Sequence, residues 1–175
     1  MSDPQSLLDL ALRKGVSVAT AESCTGGLLS ARLTAAPGSS AAFERGFVTY
    51  SNDAKIELLG VEPRTLETEG AVSEAVARQM AIGALTRSNA RLAVSVTGIA
   101  GPGGSEHKPE GRVCFGVATE AGTRTETVEF GPRGRDKVRE ASVAHAVEMM
   151  TAALKEMPDH SGEGSGPEAD HDSAD

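Results

Sequence analysis

The stretch VSVATAESCTGGLLSARLTAA, residues 16–36, carries the signal that decides the fold. Its first part, VSVATA, is short and rich in β-branched residues, which is typical of a strand. Its last part, LLSARLTAA, has the spacing of a helix and is stopped by Pro37-Gly38. Because a strand that runs directly into a helix is the unit of parallel α/β sheets, this junction predicts an α/β protein.

The same alternation of strands and helices continues along the chain. Asp3 and Pro4 begin a first helix that Gly15 ends, and Asn52 is predicted to cap a short helix, DAKIELL. We further predict strands at 46–50 and 91–96, helices at 63–69, 74–85 and 135–157, and a hairpin of strands 112–119 and 123–130. The predicted fold is a three-layer α/β/α sandwich with a mixed, mostly parallel five-stranded sheet in which one strand is antiparallel.

Charge is distributed unevenly along the chain. The 175 residues carry a net charge of −8, yet seven of the 25 acidic residues and no Lys or Arg lie between Glu156 and Asp175. The nearly neutral remainder, with one Tyr, four Phe and no Trp, argues against nucleic-acid binding. Because residues 158–175 lack apolar anchors, we predict one domain at 1–157 followed by a disordered acidic tail.

Cysteine content and the N-terminal residues predict a cytoplasmic protein. The two cysteines, Cys24 and Cys114, fit a reducing compartment, and with the scattered histidines they give no metal-ligand spacing. The segment MSDPQSLLDLALRKG is too short and too charged for a signal peptide. No apolar run approaches the ~18 residues of a membrane span, so we expect neither a membrane nor a metal partner.

Ser23, in the segment AESCTGG, is the first candidate for chemistry because it lies where a strand passes into a helix. The backbone N–H groups of Cys24, Thr25 and Gly26 could there hold a phosphate or an oxyanion, and Gly27 would let a ligand approach closely. On spacing alone, the simpler alternative that Ser23 or Thr25 only caps the following helix is favoured. Cys24 is a second possible nucleophile, but no His lies in this segment to activate it.

Lys55, at the end of TYSNDAK, is the second candidate. If Asn52 caps the helix, Lys55 is its third residue, where the positive end of the helix opposes the lysine charge. That field would favour the neutral amine that a general base requires, and Ser–Lys pairs are known nucleophile–base arrangements. The alternative is a solvated surface lysine.

TGIAGPGG, residues 97–104, is a third candidate segment that matches neither a Walker loop nor GxGxxG. Its glycines could form an anion-binding nest or a tight connection before the hairpin. Because the carboxyl ends of parallel strands share a crevice, residues 21–27 and 97–104 are expected to lie together. Basic residues at the start of the last helix could grip an anion or form a solvated turn; they are Arg133, Arg135, Lys137 and Arg139.

Taken together, the ordered motifs TAESCTGG, VTYSNDAK, GAVSEAVARQMA and SVTGIAGPGG resemble the CinA C-terminal-domain family, which includes nicotinamide mononucleotide deamidases. The resemblance covers residues 6–157 and is to the stand-alone form of the family. It implies an α/β/α sandwich, self-association, and hydrolysis of nicotinamide mononucleotide to nicotinate mononucleotide and ammonia in pyridine-nucleotide salvage, without metal or organic cofactor. The alternatives are hydrolysis of another amide or ester, and a non-catalytic nucleotide- or partner-binding domain associated with competence or DNA damage.

The resemblance also implies roles for individual residues. Ser23 matches the family's proposed nucleophile, and Lys55 matches its basic partner. Tyr50 and Thr97 match substrate-contacting residues. The other residues implied in substrate binding are Thr25, Gly26, Gly27, Gly98, Gly101, Arg135 and Arg139. The segment GPRGRDKVRE replaces a shorter GDRxxVR pattern of the family, so either arginine can be the counterpart of the family's single site arginine.

Overall fold

The structure is a computed structural model that describes residues 3–105 and 107–162. Its strands are β1 (Val18–Glu22), β2 (Phe43–Val48), β3 (Leu92–Gly98), β4 (Arg112–Thr119) and β5 (Gly122–Glu129). Its helices are α1 (Pro4–Lys14), α2 (Leu28–Thr34), α3 (Asn52–Leu59), α4 (Pro63–Glu69), α5 (Glu74–Thr86) and α6 (Arg135–Glu156), with a short 3-10 helix at Ser39–Ala41.

The strands form one sheet in the order β2-β1-β3-β4-β5. β1 pairs in parallel with β2 and β3, whereas β4 is antiparallel to both β3 and β5. Of the described strands, β4 alone therefore runs against the others, and the predicted mixed, mostly parallel five-stranded sheet is confirmed. The carboxyl ends of β1, β2 and β3 lie at the same edge of the sheet.

Helices cover both faces of the sheet. On one face, α1, α2 and α6 share a buried apolar cluster with Val94 of β3. On the other face, α3, α4 and α5 share a cluster with the neighbouring residue Ala93. Because successive side chains of a strand point to opposite faces, the two clusters lie on opposite sides of the sheet, and the predicted three-layer sandwich is confirmed.

Glycines set how closely the α3–α5 layer approaches the sheet. A Cβ atom on Gly116 of β4 would lie 2.7 Å from the carbonyl oxygen of Ala77 in α5. A Cβ atom on Gly83 of α5 would overlap the carbonyl group of Leu59 in α3. Only glycine permits both approaches, so α5 packs tightly on the sheet and α3 packs tightly on α5. This packing fixes the position of α3, the helix that carries Lys55.

The ends of α1 agree with the sequence prediction, but the start of α3 does not. Asp3 caps α1 and Gly15 ends it, as expected. The cap of α3 is Ser51, whose Oγ accepts a hydrogen bond from the backbone amide three residues on at 3.0 Å. Asn52 is thus the first helical residue and Lys55 the fourth, because the extended backbone at Ser51 lets its shorter side chain reach the amide first.

β2 is the strand whose bounds differ most from the prediction. It begins at Phe43 rather than at residue 46 and ends at Val48. It is an edge strand, and its early charged residues Glu44 and Arg45 pair with each other at 2.7 Å on the surface. Because these two residues are charged, the first half of β2 lacks the apolar pattern by which a strand is predicted. The predicted hairpin is confirmed as β4 and β5.

The segment that follows α6 turns back towards α1. The backbone amide of His160 donates to the carbonyl oxygen of Lys14 at 2.6 Å, and Lys14 Nζ donates to the carbonyl oxygen of Met157 at 2.6 Å. Residues 163–175 lie outside the described residues, so the disordered tail stays a prediction. Within the described ranges, no helix has the length and apolar character to cross a bilayer.

Candidate active site

Ser23 lies at the carboxyl end of β1, in the loop that joins β1 to α2. This nucleophile loop, residues 23–27, is anchored to the neighbouring strand by a hydrogen bond from Ser23 N to the carbonyl oxygen of Val96 at 2.9 Å. The Ser23 side chain keeps a small exposed surface, with 8% of the residue accessible. It therefore occupies the crevice at which ligands bind in open parallel sheets.

Lys55 reaches Ser23 from α3. Its Nζ donates to Ser23 Oγ at 2.9 Å and to the carbonyl oxygen of Thr49 at 2.9 Å. The residue is 1% exposed, so the alternative of a solvated surface lysine is wrong. Two residues that are 32 positions apart in the chain thus meet in the geometry of a nucleophile and its base.

The pKa of Lys55 is lowered from its ordinary value of 10.5, chiefly because burial disfavours the charged ammonium. The charge that Cys24 would carry as a thiolate opposes this shift more weakly. From the sequence, burial, the field at the start of the helix and neighbouring arginines could each lower this pKa, and burial is the dominant cause. The direction favours the neutral amine, which is the form that can accept a proton from Ser23.

Cys24 does not compete as a nucleophile. Burial raises the pKa of its thiol to about 12, with a smaller contribution from the charge of Glu22. At neutral pH the thiol therefore stays protonated, and the thiolate that nucleophilic attack requires is absent. Cys24 contributes to the wall of the site instead.

A cavity of about 200 Å³ opens in front of the Ser23–Lys55 pair. Thr97 and Gly98, at the end of β3, form part of its wall. The Thr97 hydroxyl donates to the carbonyl oxygen of Ala71 at 2.8 Å, so it offers a ligand its oxygen lone pairs rather than its proton. The complete lining is Ser23, Cys24, Tyr50, Asn52, Lys55, Ala71, Val72, Thr97, Gly98, Ala100 and Arg135.

Arg135 and Tyr50 form the mouth of this cavity. Arg135, the first residue of α6, donates through one amino group to Tyr50 Oη at 2.8 Å and through the other to the carbonyl oxygen of Gly101 at 2.8 Å. Tyr50 is 62% exposed. A guanidinium has five N–H donors, so these two bonds position Arg135 and leave it donors for an anion.

Arg139 is placed differently, although it lies one helical turn further along α6. Its guanidinium donates to the carbonyl oxygens of Cys24 at 3.3 Å and of Thr25 at 3.0 Å. It does not line the cavity. Of the two arginines predicted in the site, Arg135 faces the ligand space and Arg139 supports the nucleophile loop.

The backbone amides of the nucleophile loop differ in whether they already donate a hydrogen bond within the protein. Gly26 N donates to the carbonyl oxygen of Ser23 at 3.0 Å, so it is not available to a ligand as predicted. Gly27 precedes α2 as its cap residue. Within the described part of the chain, the amides of Cys24 and Thr25 have no acceptor, and the buried Thr25 hydroxyl has no partner.

Glu22 is a residue of this site that was not predicted from the sequence. It is fully buried, and its carboxylate accepts hydrogen bonds from Leu29 N at 2.8 Å, Ser30 N at 3.0 Å and Ser30 Oγ at 2.6 Å. The available signal was a charged residue between a buried strand and a helix whose first position follows two glycines. Such a helix has no side-chain cap of its own and must find one elsewhere.

Comparisons with known proteins place this geometry among related chains. A family model described as the CinA C-terminal domain matches residues 3–154. A CinA-like protein of Chlorobaculum tepidum is 50% identical over 158 residues, which cover 86% of this chain and 37% of that protein. A putative competence-damage inducible protein of Symbiobacterium thermophilum is 50% identical over 161 residues, which cover 86% and 38%. The chain thus spans little more than a third of these relatives.

Two solved structures have the same architecture. The competence/damage inducible protein CihA from Agrobacterium tumefaciens superposes with a TM-score of 0.82 at 48% identity, over 89% of this chain and 98% of that chain. A Competence-Damaged Protein (CinA) superfamily protein from Klebsiella pneumoniae superposes with a TM-score of 0.85 at 33% identity, over 88% and 96%.

Proposed function

Because the chain belongs to the CinA C-terminal domain family, we propose that it hydrolyses the carboxamide of nicotinamide mononucleotide to nicotinate mononucleotide and ammonia. The observation that carries the proposal is the 2.9 Å hydrogen bond from Nζ of the buried Lys55 to Oγ of Ser23. Burying a lysine costs free energy, because its ammonium loses contact with water. A domain that only bound a nucleotide would gain nothing in return for that cost.

In the first half of the reaction, Ser23 forms an ester with the acyl group. Neutral Lys55 removes the proton from Ser23 Oγ, and the oxygen attacks the carboxamide carbon. The amides of Cys24 and Thr25 are the donors available to the oxyanion. The C–N bond then breaks, and the ammonium of Lys55 returns its proton to the leaving nitrogen, so that ammonia departs.

In the second half, water replaces ammonia. Neutral Lys55 removes a proton from the water, which attacks the ester carbon, and the bond to Ser23 Oγ breaks. Lys55 then gives its proton back to Ser23 Oγ and the carboxylic acid leaves. Each half passes one proton through Lys55 and returns it to the neutral amine. The hydroxyl of Ser23 is restored only at the end of the second half. No atom changes oxidation state, so the cycle requires no redox partner.

The substrate's anionic end belongs at the mouth of the cavity. A space of about 200 Å³ suits a carboxamide-bearing ring rather than a whole nucleotide. The sugar and phosphate then extend towards Tyr50 and Arg135, where a guanidinium can bind phosphate with paired N–H donors. Self-association, cytoplasmic location and independence of metal or cofactor stay predictions.

Ammonia release from nicotinamide mononucleotide tests the proposal. The wild-type chain is expected to release one ammonia per nicotinate mononucleotide, and Ser23→Ala to lower the rate by more than about 10³-fold. Equal ammonia from both proteins would contradict the proposal. Binding of the nucleotide without any ammonia would favour the non-catalytic alternative, and release from another amide would move the proposal to a different substrate.

A further inference from the structure

We infer that Glu22 is a positioning residue, whose buried carboxylate holds the nucleophile loop in the geometry that Ser23 requires. This inference rests on the proposed hydrolysis, and it concerns a residue that does not line the cavity itself. Glu22 is the last residue of β1 and directly precedes Ser23. Its main chain and its side chain hold different parts of the site.

The carboxylate of Glu22 is in a setting where an unpaired charge would be strongly unfavourable. The residue is 0% exposed, yet both oxygens accept hydrogen bonds. Leu29 N donates to Oε1, whereas Ser30 N and Ser30 Oγ donate to Oε2. Three donors compensate for desolvation of the carboxylate, so the arrangement is built for a negative charge rather than for a neutral side chain.

The same bonds close the nucleophile loop from its far end. The cap residue of α2 is Gly27, with φ of 103° and no side-chain hydrogen bond to the helix. Glu22 supplies that cap from the strand on the other side of the loop. Both ends of residues 23–27 are thereby tied to one residue, which restricts how the amides of Cys24 and Thr25 can turn.

The main chain of Glu22 also links the nucleophile to its base. The carbonyl oxygen of Glu22 accepts a hydrogen bond from Thr49 N at 2.8 Å. The carbonyl oxygen of Thr49 in turn accepts from Lys55 Nζ at 2.9 Å. Glu22 therefore holds the loop of Ser23 by its side chain and the acceptor of Lys55 by its carbonyl group.

The internal carboxylate has a consequence for the ligand. In many α/β proteins the start of the helix that follows the first strand binds the ligand's phosphate. Here the amides of Leu29 and Ser30 donate to Glu22, and the amide of Leu28 donates to the carbonyl oxygen of Thr25. Because these three amides already have acceptors, a phosphate is expected to bind at Arg135, which lines the cavity. Loss of Glu22 is accordingly expected to affect reactivity rather than phosphate binding.

The test compares Glu22→Gln with Glu67→Gln, a matched change on the exposed face of α4. One readout is kcat and KM for nicotinamide mononucleotide. The other is the rate at which phenylmethanesulfonyl fluoride labels Ser23, followed by intact mass. In that labelling the Oγ–S bond forms, the S–F bond breaks, fluoride leaves, and Lys55 takes the Ser23 proton.

We expect Glu22→Gln to lower kcat and the labelling rate by about 10²-fold, with KM within about threefold of wild type, because misplaced reacting groups lose orientation and not ground-state binding. Glu67→Gln is expected to change neither. A folded Glu22→Gln variant with the kcat and labelling rate of wild type would overturn the inference. A Glu22→Gln variant that changed KM by about 10²-fold and left kcat unchanged would overturn it too.

A second variant keeps the test decisive if Glu22→Gln does not fold. Ser30→Ala removes the hydroxyl donor to Glu22 and leaves both backbone amides in place. It should lower kcat and the labelling rate several-fold with KM unchanged, and unchanged rates would overturn the inference. Wild-type labelling without ammonia release would refute the proposed substrate and not the role of Glu22, whereas ammonia release that ignores Glu22→Gln would refute only that role.

Discussion

Two of the cavities formed by the described residues lie at opposite ends of the strands, and the smaller one contains the candidate catalytic pair. The cavity of about 200 Å³ lies at the carboxyl ends of β1 and β3. A larger cavity of about 450 Å³ lies between the β4–β5 turn and the end of α6. This larger cavity lies at the amino end of β3, because Thr119, which lines it, pairs with Leu92, the first residue of β3.

The difference between the two cavities is the state of their polar groups. The larger one is walled by apolar side chains such as Val117 and Met149, and its charged pair, Arg124 with Glu156, is exposed to solvent. The smaller one holds Ser23 and Lys55, both buried and bonded to each other. A cavity is expected to be reactive when buried polar groups converge in it, because burial shifts their pKa values. The volume of a cavity alone has no such effect.

The largest effect that would sharpen this comparison is expected from Lys55→Met. The methionine keeps most of the side-chain volume and removes the base, so kcat should fall by about 10³-fold. Binding of the nucleotide, measured by calorimetry, should stay within about tenfold, because Lys55 serves the reaction more than the ground state. Lys155→Met, an exposed change near the larger cavity, is the matched control. Retained turnover in Lys55→Met would move the base elsewhere.

A smaller effect is expected from Arg135→Ala at the mouth of the same cavity. Loss of a charge-assisted contact to phosphate should raise KM by about 10- to 100-fold. The change in kcat should be smaller, because the phosphate is remote from the bond that breaks. Arg13→Ala, on the exposed end of α1, serves as control. If Arg139→Ala raised KM and Arg135→Ala did not, the two arginines would exchange their proposed roles.

The smallest effect is expected when the larger cavity is filled. Ala152→Leu places a longer apolar side chain in its wall, and the steady-state rate should stay within about twofold of wild type. Thermal unfolding of the variant would show whether the fold tolerates the change. A large loss of activity in a folded Ala152→Leu protein would contradict this expectation, because it would show that the larger cavity affects the reaction at Ser23.

Much of the fold could be predicted from local pattern. The β1–α2 junction, the hairpin and the cap at Asp3 follow from hydrophobic period and cap chemistry alone, and the structure confirms them. The edge strand β2 could be located only in part, because Glu44 and Arg45 interrupt its apolar pattern. The predicted cap of α3, Asn52, was one residue away from the observed cap, Ser51. Ser and Asn are equally good caps, and only the backbone angles decide between them.

The site could be predicted in its members but not in its contacts. Ser23 and Lys55 were identified by their motifs, whereas their meeting depends on α3 packing against α5 through Gly83, a contact that no local pattern encodes. Arg135 and Arg139 look alike in sequence and share one face of α6, and their different partners follow from their positions one turn apart along the helix axis. Glu22 was missed because its partners Leu29 and Ser30 lie in α2, outside the segment AESCTGG that contains it.

The most direct test of the central claim is the titration of Lys55 itself. In protein labelled with ¹³C at lysine Cε, the Lys55 signal is identified by its loss in Lys55→Met and followed against pH. Burial lowers the pKa of Lys55, so the midpoint should lie below the ordinary 10.5, and kcat/KM should rise with pH through the same midpoint. A Lys55 midpoint at or above 10.5 would contradict the account, because the amine would then be charged where Ser23 needs a base.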